Sequence, residues 1–91
     1  MKINNCMYEV IKDYKEAFNE EVFRESFTEF FEKYDYIVGD IAYGKLRLKG
    51  FYDKNNKNIK SYNDYSNIDK YIKEDCAYDC SYYIVKKNYK I

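Results

Sequence analysis

The hydrophobic and polar positions of this 91-residue chain change their period several times and divide it into seven short elements. Near the start, residues 2–3 and 6–11 form two short arms around a pair of asparagines. Asparagine tolerates the positive φ of a tight turn, so the pattern predicts a weak hairpin. Alternation places Cys6, Tyr8 and Val10 on one face of its second arm.

An amphipathic helix is predicted after Asn19, which is a good N-cap residue followed by two glutamates in the first turn. Aromatic residues then recur at spacings of i, i+4, i+7, i+8 and i+11, namely Phe23, Phe27, Phe30, Phe31 and Tyr34. The other face is charged, with Arg24, Glu25, Glu29 and Glu32. Such an aromatic stripe is typical of a core-facing helix rather than of a ligand groove.

A second hairpin is predicted downstream of the helix. The apolar, β-branched segment 36–38 forms a strand that ends or bulges at Gly39, and Tyr43-Gly44 is a turn signal. Segment 45–52 then alternates. Its side chains divide into Leu46 and Leu48 on a core face and Lys45, Arg47 and Lys49 on the other, which we call the basic hairpin face.

The last third of the chain begins with segment 53–65, which is polar, lacks periodicity and is predicted to be a mobile loop. Ser66 is expected to cap a second helix, with Asp69 at the capping-box position. The buried face of that helix is Ile68, Tyr71 and Ile72. Residues 82–85 predict a closing strand, and residues 86–91 form a basic tail expected to fray.

The resulting order is ββαββαβ, which predicts an α+β fold with one mixed or mainly antiparallel sheet and two packed helices. A hydrophobic fraction of 46% with zero net charge is globular rather than disordered, so residues 1–91 are expected to form a single domain.

The predicted location is cytoplasmic, without a membrane partner. No apolar run approaches the roughly 20 residues that cross a bilayer, and the first residues lack the apolar core of a signal peptide. The three cysteines are then expected to be reduced thiols. Histidine is absent, which removes the commonest general base and metal ligand, and no cofactor is predicted.

Several segments, in order, resemble the YutD-like family, a group of small cytosolic proteins from Firmicutes. They are residues 17–21, 23–25, 32–40, 43–52, and Cys76 and Cys80 followed by residues 82–85. The similarity covers nearly the whole chain and is weakest over 53–65. The resemblance implies a compact α/β domain from a bacterium with an A/T-rich genome, and it carries over no catalytic role.

The zero net charge conceals two oppositely charged segments. Residues 45–60 contain six basic residues and one acidic residue, whereas residues 16–32 contain six acidic residues and one basic residue. Clustered cations with neighbouring aromatic rings suit phosphate and base contacts, and they also suit steering toward a charged protein. The binding candidates are Tyr43, Lys45, Arg47, Lys49 and Tyr52.

The leading hypothesis is a non-enzymatic protein-binding or regulatory module that uses the basic hairpin face toward an unidentified protein partner. The alternative is RNA or single-stranded nucleic-acid binding through the same face. Two structural explanations stay open: an ordinary solvated sheet face, or a hairpin that pairs with the acidic helix of the same molecule.

A second alternative function is a thiol redox or metal site at Cys76 and Cys80. Their spacing differs from the C-x-x-C of redox enzymes and zinc sites. With Cys6 as a third ligand and no histidine, a tetrahedral zinc site lacks a fourth ligand of the usual kind, so no metal is predicted. The alternative is a pair of buried structural thiols.

Carboxylates offer the last candidate chemistry, at Asp40, Asp75 and Asp79. No nucleophile motif or glycine-rich phosphate loop accompanies them. The sequence therefore predicts no catalytic residue and no enzyme activity.

Overall fold

The computed structural model describes residues 1–4, 6–75 and 80–90. These residues form the predicted order of elements: β1 (Lys2–Ile3), β2 (Cys6–Tyr14), α1 (Glu20–Ser26), β3 (Tyr36–Ala42), β4 (Lys45–Phe51), α2 (Ile68–Asp75) and β5 (Ser81–Lys90). All strand pairs are antiparallel. The α+β class is confirmed. Neither helix of the described ranges has the length and apolar character needed to cross a membrane.

The five strands form one sheet in the order β1-β2-β5-β3-β4. The last strand of the chain, β5, is therefore central and pairs with both β2 and β3. The pairing of β2 with β5 shifts register twice, between Met7 and Tyr8 and between Val10 and Lys12. Such irregularities bend a strand and increase its twist, which lets the long β2 follow the curled sheet.

The two helices lie on opposite faces of the sheet, and each covers its own core. The first core lies under α1 and contains Ile3, Cys6, Tyr8, Ala17, Phe23, Ile37, Tyr83 and Val85. The second lies under α2 and contains Val38, Phe51, Ile68, Tyr82 and Ile84. Because strand side chains alternate, adjacent residues such as Ile37 and Val38 enter different cores. Both faces of the central strands are thus buried.

The predicted continuous helix over residues 20–34 is wrong. The α-helix ends at Ser26, Phe27 is extended with φ −74° and ψ 131°, and a 3₁₀ turn follows at Glu29–Lys33. The break lets the Phe27 ring pack edge-on against Tyr8, with centroids 5.4 Å apart. As a result the aromatic stripe is only partly core, and Phe30 is 57% exposed.

The predicted end of β3 at Gly39 is also wrong, since the strand continues without a register shift to Ala42. Gly39 lies opposite Tyr83 of β5, and a Cβ atom at Gly39 would lie 2.2 Å from Tyr83 Cζ. The glycine therefore makes room for a cross-strand ring and does not end the strand.

Several features in the last third of the chain differ from those predicted from the sequence. The cap is Asp64 rather than Ser66: its Oδ1 accepts from the Ser66 N–H at 2.9 Å and begins a 3₁₀ turn that leads into α2. The segment after β4 is tied to Asp35, whose Oδ2 accepts from the Asp53 N–H at 2.8 Å. A second 3₁₀ turn covers Ser61–Asn63. The mobility of this loop stays a prediction. The closing strand extends beyond Val85 to Lys90.

Candidate functional site

The basic hairpin face lies on the α2 side of the sheet. Side chains at alternate positions of β4 share one face, and Phe51 of that series is part of the core under α2. The acidic helix α1 packs on the opposite face through Phe23. Within α1, Glu20 pairs with Arg24 one turn later, with Oε2 and Nε 2.9 Å apart. The sheet thus separates α1 from the basic hairpin face.

Arg47 is bound to a buried carboxylate. It lies directly opposite Asp40 of β3, and the Arg47 Nε donates to Asp40 Oδ1 at 2.8 Å. The Tyr71 hydroxyl of α2 donates to Asp40 Oδ2 at 3.2 Å. The Asp40 side chain is 1% exposed, whereas that of Arg47 is 50% exposed. Because a buried charge needs partners, the contacts of Asp40 with Arg47 and Tyr71 tie together β3, β4 and α2.

Lys49 lines a cleft between β4, the Ser61–Asn63 turn and α2. The cleft has a volume of about 300 Å³. It is lined by Lys49, Phe51, Ser61, Tyr62, Asn67, Lys70, Tyr71 and Glu74. The Lys49 Nζ lies 5.4 Å from the ring centroid of Phe51 and 5.8 Å from those of Tyr62 and Tyr71. These cation–π contacts hold the ammonium group over an aromatic floor, at about 0.5–1 kcal/mol each when exposed.

The tip of the hairpin displays a tyrosine. Tyr43 and Gly44 both have positive φ, 54° and 76°. Two such residues between antiparallel strands form a type I′ turn, whose twist matches that of the flanking strands. Positive φ is unusual for an aromatic residue. The Tyr43 side chain is 97% exposed, and Lys45 beside it is exposed too. The hairpin tip therefore offers a ring and a charge to solvent.

Tyr52 does not join these residues, which corrects the expectation that it shares the exposed face. It is only 6% exposed, and its ring packs against that of Tyr34 at a centroid distance of 4.8 Å. The alternation of β4 directs it away from Lys49 and Phe51. The structure thus brings Lys49 into an aromatic cleft, leaves Tyr43 and Lys45 at the tip, and buries Tyr52.

The sequence pattern missed the aromatic and charged residues that α2 and its preceding turn add to the cleft. Lys70 and Glu74 are four residues apart, so their place on one helix face was predictable from spacing. Tyr62 lies in a segment without periodicity and is 68% exposed. No local pattern indicates that it approaches Lys49.

The structure describes only some of the residues of the predicted thiol site. Cys76 lies outside the described residues, as does Asp79. Cys80 is half-buried immediately before β5 and is disulfide-bonded, so the expectation of a reduced thiol is wrong at this position. Cys6 is a buried free thiol of the first core. In the described portion of the chain, no three Cys, Asp or Glu side chains cluster to hold a metal ion. A redox or structural role for Cys76 and Cys80 stays a prediction.

An antiparallel five-stranded sheet with a helix on each face, and with an aromatic cleft beside a basic edge hairpin, defines a small α+β domain. The family model described as "Putative antitoxin YutD-like" matches residues 2–86. The chain is 42% identical over 85 residues to "Putative antitoxin YutD" of Bacillus subtilis (strain 168), and 93% of each chain is covered. The chain therefore belongs to the YutD-like family, as the sequence motifs predicted.

A solved structure supports the same fold. The solution NMR structure of protein yutD from B. subtilis matches with a TM-score of 0.81 and 41% sequence identity. The match covers 100% of this chain and 83% of that one. The arrangement of strands and helices described above is therefore similar to that of a relative.

Proposed function

We propose that this protein is a non-enzymatic binding module that engages a partner protein through the hairpin tip, the basic hairpin face and the Lys49 cleft. The observation that carries the proposal is the cleft itself, where an ammonium group is held over aromatic rings beside an exposed tyrosine. Aromatic residues that are ordered before binding lose little entropy on contact and dominate many interfaces.

The family description supports the same kind of function. The relative in B. subtilis bears the name "Putative antitoxin YutD". An antitoxin counteracts a toxin, and sequestering a protein by binding requires no catalytic group. No triad, metal cluster or phosphate loop is found among the residues that the structure describes. We extend this role to the present chain as part of the proposal.

The charge distribution favours an acidic partner surface. Lys45 and Lys49 lie on β4, and Lys70 lies on the same side of the sheet on α2. Arg47 adds less charge than the sequence suggests because Asp40 neutralises it. Complementary charges speed association and orient the partner. An acidic patch with an apolar centre would match the lysines at the rim and the rings within.

A charge-reversal experiment tests this surface. The double variant Lys45→Glu/Lys49→Glu is expected to lose the partner in a crosslinked pull-down, because it reverses charge on the proposed contact. The matched control Lys54→Glu/Lys57→Glu makes the same change in net charge at exposed positions of the following loop. It is expected to retain the partner. Equal capture by both double variants would rule out the basic hairpin face.

One observation favours single-stranded nucleic acid as a second candidate. The exposed Tyr62 ring beside Lys49 and Lys70 matches the arrangement in which a base stacks and phosphates are neutralised. Binding by these two cations would weaken with salt, with a log–log slope of about −1.4. Fluorescence anisotropy with a labelled oligonucleotide at low salt measures it. No change in anisotropy would eliminate this candidate.

A further inference from the structure

The strand that bears the basic hairpin face is also an edge of the sheet. In the strand order β1-β2-β5-β3-β4, β4 pairs with β3 on one side. Its other side has no neighbouring strand among the described residues. The register with β3 runs over all seven residues, Lys45–Phe51, without a bulge. The opposite edge strand, β1, has only two residues. Hence β4 is the long, regular edge of this sheet.

Backbone hydrogen bonds at the end of β4 establish which groups point outward. The Tyr52 N–H donates to the Asn63 carbonyl at 2.7 Å, and the Tyr52 carbonyl accepts from the Tyr65 N–H at 3.0 Å. The backbone of Tyr52 therefore points away from β3. The neighbouring Phe51 carbonyl accepts from the Asp35 N–H at 3.0 Å and so points toward β3. Just beyond β4, this edge already pairs with its own chain in one isolated parallel bridge, between Tyr52 and Asp64.

Alternation extends this assignment along the strand. In an antiparallel ladder, every second residue directs both of its backbone groups to the same side. Counting back from Tyr52, the outward residues are Gly50, Leu48 and Leu46. Gly50 is buried, whereas Leu46 and Leu48 are only partly buried. The accessible part of the edge thus consists of the N–H and C=O groups of Leu46 and Leu48.

We propose that β4 is a site of β-strand addition, where an extended segment of the partner pairs with the backbone of Leu46 and Leu48. Acidic side chains of that segment would face Lys45 and Lys49, and apolar ones would extend the face of Leu46 and Leu48. The inference deepens the proposed function and rests on it, because it names the shape and charge of the bound segment. Backbone bonds supply affinity in such complexes, and alternate side chains supply specificity.

Charge disfavours a second copy of the chain as the occupant. Antiparallel pairing of two β4 edges joins outward residues to outward residues, so both basic faces lie on the same side of the joint sheet. Lys45 of one copy would then lie opposite Lys49 of the other. Like charges directly opposite each other destabilise a strand pair. An alternating acidic segment of another protein has the complementary pattern.

A synthetic peptide tests the inference directly. The probe is a seven-residue capped peptide of alternating glutamate and valine, and the control peptide has lysine in place of glutamate. Amide hydrogen exchange of ¹⁵N-labelled protein is measured by NMR. The acidic peptide is expected to slow exchange at Leu46 and Leu48 about tenfold when its concentration is about ten times its dissociation constant. The lysine peptide is expected to have no effect. Unchanged exchange with the acidic peptide would mean that the lysines only protect the edge from association.

Two variants separate the backbone bond from side-chain packing. Leu48→Pro removes an outward N–H and leaves the ladder with β3 intact, since proline is tolerated on edge strands. Leu48→Ala keeps the N–H and loses about as many side-chain packing contacts as Leu48→Pro. We expect the proline variant to bind the acidic peptide at least about tenfold more weakly than the alanine variant, which is the loss of one charge-flanked backbone bond at about 1.4 kcal/mol. Equal binding would overturn strand addition.

The peptide provides a second measurement if the proline variant does not fold. Methylation of the peptide nitrogens that face β4 removes the donors from the other side of the same ladder. Binding of wild-type protein is then expected to disappear, and retained binding would overturn the inference.

Failure of strand addition can be told apart from failure of the proposed function. If the pull-down partner is lost in Lys45→Glu/Lys49→Glu but retained by Leu48→Pro, the basic hairpin face stands and strand addition is wrong. If charge reversal leaves the partner bound while the acidic peptide protects Leu46 and Leu48, strand addition stands and the assignment of the partner's surface is wrong.

Discussion

The ring and the hydroxyl of Tyr83 have opposite effects on the stability of the fold. Its ring fills the space left by Gly39 on the neighbouring strand and packs against Phe18 and Phe23, with centroids 5.0 and 5.9 Å away. Its hydroxyl is buried and finds no hydrogen-bond partner among the described residues. Leaving a buried hydroxyl unpaired costs about 1–3 kcal/mol. The ring therefore stabilises the first core while its hydroxyl opposes folding.

Burial also affects how this residue titrates. It raises the pKa of Tyr83 well above its ordinary value of 10.0, and the carboxylates of Asp13 and Asp40 raise it further. The unfolded chain then loses this proton above about pH 10 while the folded chain keeps it. The stability that the raised pKa provides is complete below pH 10 and declines as the pH rises toward the folded-state pKa.

Tyr83→Phe is therefore expected to be neutral or to raise the free energy of unfolding by about 1 kcal/mol at pH 7, because it removes only the unpaired hydroxyl. Above pH 10, the free energy of unfolding of Tyr83→Phe should fall less steeply than that of the wild type, by about 1.4 kcal/mol per pH unit. Urea unfolding at a series of pH values measures both effects. The exposed Tyr43→Phe is the control and should change neither. A clearly destabilised Tyr83→Phe would indicate that the hydroxyl has a partner.

At the scale of elements, α1 shows how tertiary contacts override a local pattern. The aromatic spacing favours one helix through Tyr34, yet the chain leaves the helix after Ser26 so that Phe27 can reach Tyr8. The seven-residue helix that remains is too short to be stable alone. It depends on Phe23, which is fully buried, and on its N-cap. The Asn19 Oδ1 accepts from the Val22 N–H at 3.1 Å.

Asn19→Ala is expected to lower the free energy of unfolding by about 1 kcal/mol, because the Val22 N–H loses its acceptor. Asn19→Asp keeps an acceptor at the same position and adds favourable charge at the helix N-terminus, so it should match or exceed the wild type. Chemical denaturation of the three proteins measures the differences. Equal losses in the alanine and aspartate variants would show that the cap does not contribute.

The elements that local patterns predict best are those whose signals lie in adjacent residues. Alternation at 45–52 located β4 and its basic hairpin face, and Tyr43-Gly44 located the turn. The errors at the end of α1, at Gly39 and at Arg47 share one physical origin, since each depends on a residue distant in sequence. Gly39 was predicted to end a strand, but β5 places Tyr83 beside it. Arg47 was predicted to be a cation of the exposed basic face, but β3 places Asp40 opposite it.

At the scale of the whole molecule, the sheet arranges the charge pattern of the sequence into two faces. The acidic helix covers one core, and the basic hairpin, with the Lys49 cleft, lies on the other side. The opposite charges of residues 16–32 and 45–60 were evident from the sequence, but their separation by the sheet was not. It depends on which face each helix covers, which alternation alone leaves open.

The separation of faces leads to a directional test of the central claim, that a partner protein binds on the hairpin side. A benzophenone-bearing phenylalanine is placed at Tyr43, on the hairpin tip, or at Phe30, on the 3₁₀ turn that follows α1. Both side chains are well exposed, at 97% and 57%. Irradiation in cells followed by mass spectrometry identifies the proteins captured from each site. The proposed function predicts a specific protein crosslinked from position 43 and absent from position 30. Capture of that protein from position 30 alone would contradict it.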